Sequence, residues 1–256
     1  MNALRPQANS DGSSGTAAVK YTARLSLIAI SLILAGTSAA QELRYSWMDL
    51  SFMVQDFDRM GTQTVEPVPG VFQTVDVDAS DGDGVRFRGS LGTWNNLYLF
   101  VDYGSTDVDF DAVIDNPTLP MPELAQDLFD YTTIRGGVGV KWSIGFSTDI
   151  YAQVSFDSLD LDWGSLGGEN FDADKQDVGG SIGVRTLLGD DFEIRVHGRF
   201  TNVGDVDLNT LQFDSDTLFG AGFGWELVRG LSIVGDYEAG EFSAWSVGFR
   251  LDLDED

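Results

Sequence analysis

The chain has 256 residues, 41 of them acidic against 15 basic, for a formal net charge of -26. That surplus repels phosphate backbones and excludes nucleic acid as a partner. The absence of cysteine excludes a disulfide framework, a thiolate metal site and a lipoprotein anchor, while 30 glycines against 6 prolines suit many strands joined by turns.

Residues 1–19 are polar and rich in Ser and Gly. Lys20 and Arg24 then precede the apolar run 25–34, and small residues lead to Ala40. Positive flank, short apolar core and small-residue site are the parts of a secretory signal peptide, with cleavage expected after Ala40; the apolar run is too short to cross a bilayer as a helix. The chain therefore divides into 1–40, an N-terminal extension with signal peptide, and 41–256, one folded domain.

From residue 43 the pattern has period two, the strand signature. Met48, Leu50, Phe52 and Val54 are apolar in the first segment, and an acidic stretch, 55–84, follows. Val85, Phe87 and Leu91 alternate with Arg86, Arg88 and Ser90; after a turn at Trp94, Leu97, Leu99, Val101 and Tyr103 alternate with Phe100 and Asp102. Beyond 109–130 come Ile134, Val138, Val140 and Trp142 against Arg135, Gly137, Gly139 and Lys141, then Ile150, Ala152, Val154 and Phe156. After 160–176 a hairpin places Val178, Ile182, Val184, Phe192, Ile194, Val196 and Phe200 on one face and Arg185, Glu193, Arg195, His197 and Arg199 on the other. A stretch at 204–215 leads to Phe219, Ala221, Phe223 and Trp225 opposite Gly220, Gly222 and Gly224. The last two segments set Leu231, Ile233 and Tyr237 against Ser232, Asp236 and Glu238, and Trp245, Val247, Phe249, Leu251 and Leu253 against Arg250.

This reading predicts an all-β, antiparallel, transmembrane up-and-down β-barrel of about 10 strands, with 8 as the smaller alternative, and long acidic extracellular loops facing short periplasmic turns. Segments 55–84, 105–130, 157–177 and 202–216 together hold 25 acids and two bases, Arg59 and Lys175. Almost every other base of 41–256 falls on the polar strand face, over glycines that leave room for long side chains. The expected lumen network is Arg86, Arg88, Asp102, Arg135, Lys141, Arg185, Glu193, Arg195, His197, Arg199, Glu226, Asp236 and Arg250, with Asp49 a further interior acid. Two interfacial aromatic bands are expected, Trp47, Trp94, Trp142 and Trp225 at the short turns and Tyr103, Tyr131, Phe156, Tyr237 and Trp245 at the far end.

Signal peptide, alternating strands, acidic outer loops and polar interior resemble the small outer-membrane barrels of Gram-negative bacteria, the OmpA/OmpX-like and opacity-protein group. The resemblance implies an outer-membrane location, lipid and lipopolysaccharide as neighbours, and the outer-membrane assembly machinery as a folding partner. Such barrels end on an aromatic residue; here Leu253 takes that slot.

His197 is the sole histidine, but it stands mid-strand between arginines, without the serine of lipid A deacylase-like barrels and away from the rim position used by omptin-like proteases. No catalytic residue and no cofactor motif is assigned. Asp76, Asp78, Asp81 and Asp83 invite a divalent-cation reading, although counting from Asp76 the glycine and glutamate of an EF-hand loop are missing. The expected function is a structural or surface barrel with a closed or very narrow lumen. The alternatives are a small anion-preferring channel lined by the arginines, a soluble periplasmic lipocalin-like barrel turned apolar side in, and an omptin- or deacylase-like enzyme.

Overall fold

The computed structural model describes residues 43–253 apart from 58–60, 69–70, 94–95, 116–122, 146, 167–168, 204–205, 209–210, 214–216 and 241. The period-two segments become β1 (Trp47–Phe57), β2 (Gly61–Val68), β3 (Val71–Gly92), β4 (Leu97–Asp115), β5 (Glu123–Ser143), β6 (Thr148–Leu166), β7 (Glu169–Leu188), β8 (Phe192–Phe200), β9 (Val206–Leu208), β10 (Leu211–Phe213), β11 (Thr217–Val228), β12 (Leu231–Ala239) and β13 (Phe242–Asp252). They pair in the order β1-β13-β12-β11-β8-β7-β6-β5-β4-β3-β2, and β1 also pairs with β3. β1 thus has a partner on each edge, Asp49 lying opposite Arg250 of β13 and opposite Arg88 of β3, and this closes the sheet on itself. β2 continues β1 against the upper half of β3, with Gly61 opposite Val77. With β1 and β2 taken as one wall and the hairpin β9–β10 set apart, the described strands form a ten-stranded antiparallel up-and-down barrel. Three short connections turn on glycines with φ of 131° (Gly145), 73° (Gly189) and 80° (Gly230), a region side chains with a Cβ rarely adopt.

The strands come in two lengths. β3 to β7 run 22, 19, 21, 19 and 20 residues, whereas β1, β8, β11, β12 and β13 run 11, 9, 12, 9 and 11. A tilted strand crosses a bilayer in about 9–11 residues, so five strands run roughly 30 Å longer than the others. The segments expected to be long outer loops, 55–84, 105–130 and 157–177, are therefore mostly strand. Their acids alternate with apolar residues, and acids on a solvated outer face do not interrupt a ladder. In segment 202–216 lies the hairpin β9–β10, with β9 beside β7 and β10 beside β2, spanning the gap between the ends of the tall wall.

Along β4, and along β6 as far as Asp162, the facing stays in phase while its chemistry inverts, whereas β3 shifts register between Ala79 and Gly82. On β4 the outward set begins with exposed Leu97, Leu99, Val101 and Tyr103 and continues as exposed Asp107 and Asp109, while the inward set passes from buried Asp102 to buried Val108. On β6 outward Val154 and Phe156 give way to Asp160 and Asp162, and inward Asp157 to Leu159 and Leu161. The lower storey is apolar outside and ionic inside, which suits hydrocarbon; the upper storey is acidic outside and apolar inside, which suits water. The same lower-storey polarity rules out the inside-out alternative, a lipocalin-like barrel: Val247 and Phe249 face outward, and Arg195 is buried.

Two rings expected at the lipid interface face inward instead. Trp47 shares the parity of Asp49 and lies 4.3 Å from the Arg250 guanidinium; Tyr131 shares that of Arg135 and packs 5.2 Å from Phe57 and 6.5 Å from Phe242. Trp142, Trp225, Tyr103, Phe156, Tyr237 and Trp245 do face outward, and Trp94 lies outside the described residues.

Where the storeys meet, Asp83, Asp107, Asp130, Asp162 and Asp172 stand directly opposite one another across β3 to β7. Like charges so opposed destabilise a sheet. Partial burial, and then Asp107 beside it with Asp162 beyond, hold the Asp130 carboxyl above its ordinary range. A carboxyl raised by folding binds its proton more tightly in the folded state, so stability is lost as pH rises through the raised value and the penalty is absent below the ordinary carboxylate range. Asp130→Asn is expected to slow hydrogen exchange in the upper halves of β4 and β5 at about pH 7, the difference from the native chain vanishing near about pH 3; equal exchange at the higher pH would show that the row is not under strain.

Candidate functional site in the barrel lumen

The register builds an ionic layer from single residues on successive strands. Arg250, Asp49, Arg88, Asp102, Arg135 and Asp157 are Cα partners in one unbroken row across β13, β1, β3, β4, β5 and β6, and their signs alternate. Within that row Arg88 Nε donates to Asp49 Oδ1 at 3.0 Å. One level up, Arg86 grips Asp102 through two bonds of 2.9 and 2.7 Å, a bidentate pairing that fixes orientation as well as charge.

On the opposite wall the partners sit one strand too far apart, and glycine solves this. Arg195 of β8 and Asp236 of β12 are both in register with Gly222 of the intervening β11, and their side chains hydrogen-bond directly above it. A Cβ on Gly222 would collide with Asp236 Oδ1 and with Arg195 Nε. In the same way His197 reaches Glu238 at 2.9 Å over Gly220, and Glu193 meets Arg250 at 3.2 Å beside Gly224. The three glycines of β11 are the floor of three side-chain bridges.

These pairs fuse into two chains of contacts. The lower runs from Arg185 through Glu193 (2.7 Å), Arg250 (3.2 Å), Asp49 (3.9 Å), Arg88 (2.9 Å) and Asp236 (2.6 Å) to Arg195. The upper joins Arg135 to Asp102 at 3.9 Å, Asp102 to Arg86, and Arg86 to Glu238 at 3.7 Å, where His197 and Arg199 also arrive at 2.9 and 3.9 Å. Asp157 accepts from Thr201 Oγ1 at 2.8 Å. The lower chain straddles the closing seam, since Asp49 is on β1 and its partners are on β3 and β13.

Of the residues expected in the network, Lys141 and Glu226 lie apart from this layer, at the turn end. Lys141 Nζ stands 4.5 Å from the Tyr45 ring, and Glu226 accepts from Gly230 N at 2.9 Å and faces Arg44 at 3.7 Å. Sequence reasoning left out Glu238, Asp157 and residues 43–46. Glu238 and Asp157 carried a usable signal, each two or more residues along the inward set of its strand. Asp81 and Asp83 are exposed on β3, a strand rather than a ligand-wrapping loop, and the side chains of Asp76 and Asp78 lie outside the described residues. Among the described residues no group of three or more acids or histidines is arranged to hold a metal ion.

No family model matches the chain, and no curated protein matches it. Among solved structures it is similar to the β domain of the Bordetella autotransporter Brka (11% identity, 83% of this chain and 100% of that one, TM-score 0.43). It is also similar to the outer membrane protein OprG of Pseudomonas aeruginosa (7% identity, 85% and 100%, TM-score 0.45) and to Neisserial surface protein A (15% identity, 83% and 100%, TM-score 0.35). The chain itself is a membrane-spanning β-barrel, on the strength of its own closure and its outward apolar belt.

Removing one partner of a buried ion pair leaves the other uncompensated, at about 3 kcal/mol or more. Asp236→Asn, which strips a carboxylate from both Arg88 and Arg195, is expected to lower the urea unfolding free energy in lipid vesicles by about that amount. Gly222→Val should do the same without altering charge, whereas Ala221→Val, one residue along and facing lipid, should shift it by less than about 0.5 kcal/mol.

Proposed function

We propose that the protein is an integral outer-membrane β-barrel of a Gram-negative bacterium, exported by the leader in residues 1–40, and that it serves as a structural or surface protein with a closed lumen and no enzymatic activity. Outer-membrane lipid and lipopolysaccharide are the neighbours this reading assigns to its outer wall, and the outer-membrane assembly machinery its folding partner.

One observation carries the closed lumen: the ionic layer lies between two apolar seals. Below it Leu43, Tyr45, Tyr98 and Tyr151 form a buried cluster with Phe100 and Leu187 against it. Above it Met53, Phe57, Val108, Tyr131, Leu159 and Leu161 are buried. Two cavities in the layer, of about 80 and 50 Å³, both touch Arg86, Asp102, Arg135 and Glu238 and each has room for only a few waters, which supports the closed reading. The anion-channel reading needs cations that face water along a continuous route, and here the guanidinium groups face carboxylates. The enzyme reading needs His197 to meet a substrate, and it is bonded to Glu238 inside the sealed layer.

The purified mature chain is expected to show heat-modifiable migration, as a folded barrel does, and to give no discrete conductance steps in planar bilayers. Steps with anion preference would replace the closed-lumen reading with the channel, and extraction from cells without detergent would remove the membrane assignment.

A further inference from the structure

Residues 43–46 precede β1 and enter the lumen from the turn end. Leu43 and Tyr45 are both buried there, in the cup formed by Tyr98 and Tyr151. The Tyr45 ring lies 4.8 Å from that of Tyr98, with Lys141 Nζ at 4.5 Å and the Arg185 guanidinium at 4.6 Å from its centre, so one aromatic face system holds two cations. Tyr98 and Tyr151 lean inward over Gly139 and Gly183, where a Cβ would strike their rings.

The backbone of the segment is tied down as well. Arg185 Nη1 donates to Arg44 O at 3.2 Å, Gly92 N to Ser46 Oγ at 3.2 Å, and Leu253 N to Ser46 O at 2.8 Å. The Arg44 side chain pairs with Asp252 at 2.9 Å and lies 3.7 Å from Glu226, lining the mouth beside Leu43. Tyr45 and Trp47 also line the cavity of the ionic layer, on the same side as Ser90, which is opposite Trp47 in the register.

We propose that residues 43–46 are a plug supplied in cis: they stopper the periplasmic mouth, and their seating decides whether small anions from the periplasm reach the cation-rich cavity above Tyr45. The inference rests on the closed-lumen reading and adds to it a separable part. The wall of the barrel is complete without these residues, because β1 begins its pairing with β13 and β3 at Trp47. What they contribute is two apolar side chains filling the mouth. Their anchors are drawn from β7, β13 and the end of β3, so unseating them leaves the strand ladder intact.

The chain has no cysteine, so a single introduced thiol reports alone. Ser90→Cys, buried in the cavity wall, is to be treated in micelles of the folded mature chain with an anionic, sulfonate-bearing thiol reagent. Labelling is expected to be slow with the native segment and at least about tenfold faster when Leu43→Ala and Tyr45→Ala are added. Thr106→Cys, fully buried on the far side of the ionic layer, should stay protected in the same background. Equal rates for Ser90→Cys with and without the plug side chains, or labelling of both thiols once they are removed, would overturn the plug. Should the double variant fail to give heat-modifiable migration, Leu43→Cys in the otherwise native chain decides: protection until heating supports the plug, and labelling as fast as a cysteine at exposed Asp160 refutes it. Conductance by the native chain would overturn the closed lumen while leaving the Leu43→Cys result to stand or fall alone.

Discussion

A guanidinium inside a barrel of this width must find a carboxylate on another strand, and that requirement organises the molecule. Arg88 bonds to Asp49, Arg185 to Glu193 and Arg86 to Asp102 between neighbouring strands, while Arg88 also reaches Asp236 on β12, a strand that the backbone ladder does not join to β3. These pairs are buried between apolar side chains, which strengthens their attraction and raises the cost of leaving any member alone. Strand β11 shows how far the backbone yields to this demand. It gives up three inward side chains so that bridges can pass over it, and it recovers its packing on the lipid side, where Phe223 covers Gly235 of β12.

The second constraint is that a strand cannot change which way its residues face without a bulge. Five strands run from hydrocarbon into water, and β4 and β6 cross the boundary by exchanging the chemistry of the two faces rather than the faces themselves. The change falls within one or two residues of Ser105 on β4 and Ser158 on β6, at the height of the aspartate row. Membrane depth is thereby recorded in the residues: the belt ends where carboxylates begin. The interior changes character at the same height, from ions to the apolar side chains that form the upper seal.

The apolar clusters, the paired ions and the N-terminal segment support one another. Without Tyr45 the aromatic cup would lose its centre, and Arg185 and Lys141 would lose the ring they both face. Without the ionic layer above, the cup would close an empty tube.

Much of this was legible in the primary structure because a period of two is local. The strand parity of Val85 to Leu91, of Leu97 to Tyr103 and of Phe192 to Phe200 assigns inside and outside, and ten such segments imply closure. Parity also held the answer for Trp47 and Tyr131, which share the facing of Asp49 and Arg135, and for the acid-apolar alternation that makes tall strands of apparent loops. Which acid meets which base was not legible. Glu238 reaches His197 only because Gly220 separates their strands, and Asp49 meets both Arg88 and Arg250 only because the first strand closes on the third and the last. Those meetings depend on register between strands distant in the chain, and on residues 43–46 folding back into the mouth, which no local repeat encodes. The residue order alone determined facing along each stretch without a register shift; the closed sheet decided each side chain's partner, since a carboxylate pairs through space and not along the backbone.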